Sequence, residues 1–207
     1  MKGILKIFII SFVSVVFSGM VFGQNISGSA HDFSSASWNT TGQICIVCHT
    51  THNADVAVND APLWNHQSTT STFTPYSSAS MNAVTGEPDA SSKLCLSCHD
   101  GTVAVDNFGS QTSGTQFITG NSLIGTDLND DHPISFTYDQ TLANTDGGLF
   151  DPTTTMSGLG GTISNDLLIG GKVQCASCHD VHNGSGVPKL LKKSNNASTL
   201  CLTCHDK

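Results

Sequence analysis

The chain contains no arginine, and after its first six residues only six lysines face sixteen Asp and Glu side chains, a net charge of −10 for that part. Nucleic-acid binding rests on Lys and Arg contacts to phosphates, so this balance argues against that class of partner. Charged residues make up 12% of the 207 positions and aromatic residues 7%. Ser, Thr, Gly, Asn and Asp dominate instead, and no segment keeps a helical apolar period over several turns. Such a composition offers little apolar side-chain area to offset the entropy of ordering the backbone. Cysteine is absent outside four pentapeptides, which removes any free thiol for nucleophilic catalysis. Continuous apolar runs are missing as well, apart from residues 7–17, which fall short of the roughly 20 residues of a spanning helix.

The eight cysteines lie in Cys45-Ile-Val-Cys48-His49, Cys95-Leu-Ser-Cys98-His99, Cys175-Ala-Ser-Cys178-His179 and Cys201-Leu-Thr-Cys204-His205. C-x-x-C-H is the attachment signature of c-type haem: the two thiols add across the porphyrin vinyl groups and the adjoining histidine ligates the iron. Structural zinc does not require histidine as the fifth residue four times over. A thioredoxin-type dithiol occurs once beside a βαβ pattern, and cysteines three apart are poorly placed to staple a fold. The cofactor reading is therefore four covalently bound haem c groups, held by Cys45, Cys48, Cys95, Cys98, Cys175, Cys178, Cys201 and Cys204, with His49, His99, His179 and His205 as proximal ligands. The porphyrins then serve as the hydrophobic core that the side chains lack. The expected fold is mostly irregular and haem-cored, with short helices at the C-x-x-C-H sites and little strand.

The N-terminus reads as an export signal, residues 1–23. Met1 to Lys6 is basic, Ile7 to Phe17 apolar, and Gly23 a small residue at the expected cut. Haem attachment follows export, so leader and motifs agree. No membrane span is expected after cleavage. The location is outside the cytoplasm: extracellular or cell-surface, with the periplasm as the alternative.

The rest of the chain repeats itself. His31, the block Cys45 to Asn53 (C-x-x-C-H-x-x-H-N) and the block Leu94 to Asp100 (L-C-L-S-C-H-D) recur in order as His132, Cys175 to Asn183 and Leu200 to Asp206. The division expected is a first dihaem repeat over 24–105, a Gly/Ser/Thr-rich connector over 106–131 and a second dihaem repeat over 132–207, within one continuous haem-cored domain. The connector reads as ordered loop laid over haem faces.

Five histidines remain beyond the proximal set: His31, His52, His66, His132 and His182. Four irons need at most four distal ligands, so every haem can be bis-histidine with one residue left over. Two imidazoles close both axial positions, which leaves no substrate site and lets the iron only pass electrons. The chain is thus read as an electron-transfer protein and not an enzyme. His52 and His182 stand three residues beyond a proximal ligand and should each reach a different haem. His132 precedes a proline that fixes an extended approach, and His31 holds the matching place in the first half. His66 has no clear counterpart, because Leu191 or Lys192 falls at its place, and is read either as a ligand or as a hydrogen-bonding residue. Met81 and Met156 are read as core filling.

On these residues the chain resembles the doubled-CxxCH multihaem cytochromes. It is similar to exported tetrahaem cytochromes of metal-respiring bacteria through Cys45 to Asn53, Ala61 to His66, Leu94 to Gly101, Asp131 to Phe136 and the terminal pair from Cys175. The resemblance implies redox partner proteins or extracellular electron acceptors, and a head-to-tail homopolymer forming a conductive filament. In polymeric relatives a histidine just after the first motif ligates a haem of the neighbouring subunit, and His52 stands at that place. A monomeric periplasmic shuttle and a multihaem reductase with an open iron are the alternatives.

Overall fold

The computed structural model describes residues 25–59 and 61–206, so the leader read at 1–23 lies outside the described residues. The fold is mostly irregular. Among the described residues five short helices appear in order, α1 Ala90–His99, α2 Gln140–Asp146, α3 Ile163–Asp166, α4 Cys175–Cys178 and α5 Cys201–Cys204, with 3₁₀ turns between some of them. The sheet has two strands, β1 Phe136–Thr137 and β2 Lys172–Val173, antiparallel with Phe136 opposite Val173. Alternation along them turns Phe136 and Val173 inward and Thr137 out. Among the described residues no helix is long and apolar enough to cross a membrane.

The helices form where local chemistry closes their ends. Asp139 caps α2 by accepting from the Leu142 N–H at 2.8 Å, and Gly147, at φ 70°, ends it with its N–H on the Ala143 carbonyl. Asp89 precedes α1 but does not cap it. Its carboxylate is taken by the Lys172 ammonium and by the Gln174 amide at 2.7 Å, which ties the second half of the chain to the first. Ser92, Leu94, Leu96 and Ser97 form the buried face of α1. The serines let neighbouring backbone approach: Cys175 N–H donates to Ser92 Oγ at 3.0 Å, and Thr69 N–H to Ser97 Oγ at 2.9 Å. So α1 packs on α4, bringing together one attachment motif from each half.

Composition argued against a side-chain core, yet three small apolar clusters are packed. The largest comprises Phe136, Tyr138, Ala143, Ile163, Leu167, Leu168 and Val173, with Met81 and Cys204 against it. A second joins Val58, Trp64 and Leu94 to Cys48, and a third joins Phe73, Leu96 and Leu128. Two of the three touch attachment cysteines, so side-chain packing and haem sites share surfaces. Met156, expected to fill core, is instead 61% exposed in the loop before α3.

Residues 106–131 fold back onto the first half. Val105 N–H donates to Gln116 O at 2.7 Å, Thr74 N–H to Thr126 O and Leu128 N–H to Thr74 O, both at 2.9 Å. The Asp106 carboxylate accepts from the N–H groups of Thr115 and Gln116.

Ile163 is fully buried in the largest cluster. Replacing it with alanine leaves a cavity and should cost about 2–5 kcal/mol, read as a lower denaturation midpoint of the haem-loaded protein with an unchanged visible spectrum.

Candidate haem-binding site

Each C-x-x-C-H motif is wound into one helical turn, because only that spacing sets both thiols and the imidazole on one side of the backbone. His49 N–H donates to Cys45 O at 2.8 Å, His179 N–H to Cys175 O at 3.1 Å and His205 N–H to Cys201 O at 3.0 Å. The remaining motif lies inside α1. The first motif is an isolated turn rather than a helix, the one departure from the expected short helices.

The proximal imidazoles are oriented from behind. Nδ1–H of His49 donates to the Pro62 carbonyl at 2.6 Å, that of His99 to Ser122 at 2.7 Å and that of His179 to Lys189 at 3.0 Å. A carbonyl only accepts, so the proton must sit on Nδ1, and Nε2 is left with its lone pair outward. This is the arrangement that steadies a metal-ligating histidine and raises its basicity. His132 shares it, with Nδ1 on the Pro133 carbonyl at 2.9 Å. His182 Nδ1 faces the Asp180 carboxylate at 3.8 Å. Burial, followed by the charges of His99 and His179, pushes the His31 imidazole down to about 4, which keeps it neutral and able to donate its lone pair; its Nδ1 is buried without a partner.

The rings of three of the expected distal residues lie beside proximal ones. Ring centres are 6.1 Å apart for His31 and His99, 6.1 Å for His49 and His182, and 6.4 Å for His132 and His205. With a metal–imidazole bond of about 2 Å and a ring centre about 1.2 Å behind the ligating nitrogen, two axial imidazoles lie about 6.3 Å apart. The measured pairs have that spacing. Among the described residues no group of three or more His, Cys, Asp or Glu gathers as a bare ion would require. Two imidazoles with a gap between them suit a metal that brings its own equatorial ligands, as a porphyrin does. The residues present therefore fit haem.

The two remaining candidates behave differently. His52 is exposed, and among the described residues its ring is paired with no other histidine ring. His66 is 1% exposed, with Nδ1 at 2.8 Å from Gln67 O and Nε2 at 3.0 Å from Ala104 O, and lies 3.5 Å from Cys98 Sγ. Both of its nitrogens lie at hydrogen-bonding distance from backbone carbonyls, beside the second motif. Its counterpart in the second half is corrected. Asn65 N–H donates to Cys48 O as Lys192 N–H does to Cys178 O, and His49 bridges Trp64 as His179 bridges Leu191. These contacts align Trp64 with Leu191, Asn65 with Lys192 and His66 with Lys193. Sequence spacing missed this because the second half is three residues shorter between His179 and this segment.

The thiols follow one another in chain order. Cys48 lies within electrostatic reach of Cys95 and Cys98, Cys95 contacts Cys175, and Cys178 is near Cys201 and Cys204. Burial pushes Cys48 up to about 11 and Cys98 up to about 12, while hydrogen bonds with Cys95 and Ser92 bring Cys175 down to about 7. Asn53 and Asn183, closing the two C-x-x-C-H-x-x-H-N blocks, are both left-handed at φ 56° and 57°. Asparagine tolerates that region better than most residues, which explains its place in both repeats.

Residues 169–207 match the family model described as the doubled CXXCH motif. The match supports a multihaem c-type cytochrome with covalently bound haem c, involved in electron transfer. No curated protein matches the chain. Replacing Cys175 and Cys178 together with alanine should lower the intact mass of the haem-loaded protein by one haem while the other attachments persist.

Proposed function

We propose that the chain is an exported tetrahaem electron-transfer protein whose irons are each closed by two imidazoles, and that it assembles head to tail into a filament. The single observation that carries the reading is the set of three histidine pairs at axial spacing, His31 with His99, His49 with His182 and His132 with His205. Bound haem supplies reversible one-electron exchange between ferric and ferrous iron. The protein's part is to hold both axial positions, exclude other ligands and keep neighbouring attachment sites close.

The pairs also obey the duplication. His31 serves the second motif of its half and His132 serves the second motif of the other. His182, from the second half, serves the first motif of the first half. Continued by one step, the same relation takes His52 to the first motif of a preceding second half, which belongs to a neighbouring copy. His179 is the proximal residue whose ring pairs with no other imidazole at that spacing among the described residues, although its charge reaches His31, and His52 is the exposed histidine left over. A contact of this kind is heterologous and generates open polymers. The same His179 would be the open position of a reductase, or of a monomeric shuttle, if His52 of a neighbour did not fill it.

Carbon monoxide distinguishes these readings. The reduced, assembled protein should show no spectral change, and His182→Ala should acquire a change confined to about one haem in four. A clear response in the assembled native protein would sink the closed-iron reading. For assembly, His52→Ala should retain four haems by mass and lose filaments in negative-stain images of the secreted fraction. Undiminished filaments would remove His52 from the interface.

A further inference from the structure

The two halves superimpose in backbone contacts but differ in charge where they touch the haem sites. Asn65 and His66 in the first half correspond to Lys192 and Lys193 in the second. Lys192 is anchored through Nζ to the Asp166 carbonyl at 2.8 Å, and its backbone N–H to Cys178 O at 2.8 Å. Its charge acts on the Cys178 sulfur. Lys193 is anchored through Nζ to Ser157 O at 2.8 Å and to Thr203 Oγ1 at 2.9 Å, inside the fourth motif, and its charge acts on the Cys204 sulfur. Both lysines are partly buried and fixed at their tips, so solvent and salt screen them less than free surface lysines. The wider distribution has the same sense. Residues 25–105 hold one lysine, Lys93, against six carboxylates, and the connector adds four more carboxylates with no lysine. Residues 132–206 hold four lysines against six carboxylates.

Carboxylates facing these groups reduce the contrast without cancelling it. Asp166 and Asp180 act on Lys192, and Thr50 stands where Asp180 does. In the first half Asp106 faces His66, and in the second the Asp166 carboxylate accepts from the hydroxyl of Ser157, whose carbonyl holds Lys193. Asp100 and Asp206 follow the second histidine of each half and offset one another.

Resting on the tetrahaem reading above, we propose that Lys192 and Lys193 hold the two haems of the second half at a higher reduction potential than the two of the first, giving the chain an internal direction. A ferric site carries one more positive charge than a ferrous one, so a fixed ammonium nearby destabilises the oxidised state. One electron leaves an iron of the first half as an iron of the second half accepts it, and no bond or proton changes. Lys192 and Lys193 are positioning residues that act through charge, not ligands.

Spectroelectrochemical titration of the haem-loaded protein tests this. In the double variant Lys192→Gln, Lys193→Gln the high-potential end of the titration should move down while the low-potential end stays in place. The reciprocal Asn65→Lys should move the low-potential end up, and it carries the test if the double variant fails to take up haem. A titration curve unchanged in both variants, or one that shifts uniformly along its length, overturns the proposal. Fewer than four haems in the mass of the native protein would instead overturn the tetrahaem reading on which it rests.

Discussion

The structure depends on how the imidazoles of the C-x-x-C-H motifs are held: by the backbone turn and, for His49, His99 and His179, by a carbonyl on Nδ1. A neutral imidazole has one N–H. Once Pro62, Ser122 and Lys189 engage that hydrogen on His49, His99 and His179, Nε2 must present its lone pair on the opposite side. The three carbonyls come from loops 13, 23 and 10 residues further along the chain, including the connector. This gives the irregular segments a physical task. They need not be regular, because what matters is one carbonyl at one place, and a loop anchored at both ends supplies that as well as a helix does.

Around this constraint the duplication organises the rest. The two halves repeat the backbone bonds from the segment after each first motif to the cysteines, and both use left-handed asparagine to turn the chain after the second histidine of the block. Where they differ, the difference is chemical. His66 and Asn65 fill positions that Lys193 and Lys192 fill in the other half, so equal scaffolds place unequal charge beside their cofactors. The packing of α1 on α4 joins the halves at their attachment sites, with Ser92 small enough to admit the Cys175 backbone.

Much of the site was legible in the sequence because covalent chemistry demands it locally. Cysteine, cysteine and histidine at fixed spacing declare their roles without help from the fold. The spare histidines were legible as a count but their neighbours were not, since the ring of His182 lies beside His49 and that of His132 beside His205 across separations that no local pattern encodes. His66 was ambiguous for the same reason: a histidine beside haem reads alike whether its nitrogens meet iron or, as here, backbone carbonyls. The small core around Ile163 was not legible, because its members are scattered singly among polar residues and lack the helical or strand period that reveals a buried face. Met156 misled for a related reason, since an apolar residue in a loop carries no sign of which way the loop turns.

The sequence by itself carried the haem c signature, the four C-x-x-C-H motifs and the duplication, all of which depend on residue type and short spacing. The tertiary structure decided which imidazoles face each other, that the attachment sites follow in chain order, and that Lys192 and Lys193 stand beside the third and fourth of them. Those facts depend on long-range closure of loops. The path of a loop is set by single hydrogen bonds to partners tens of residues away, and such bonds leave no periodic trace in the chain.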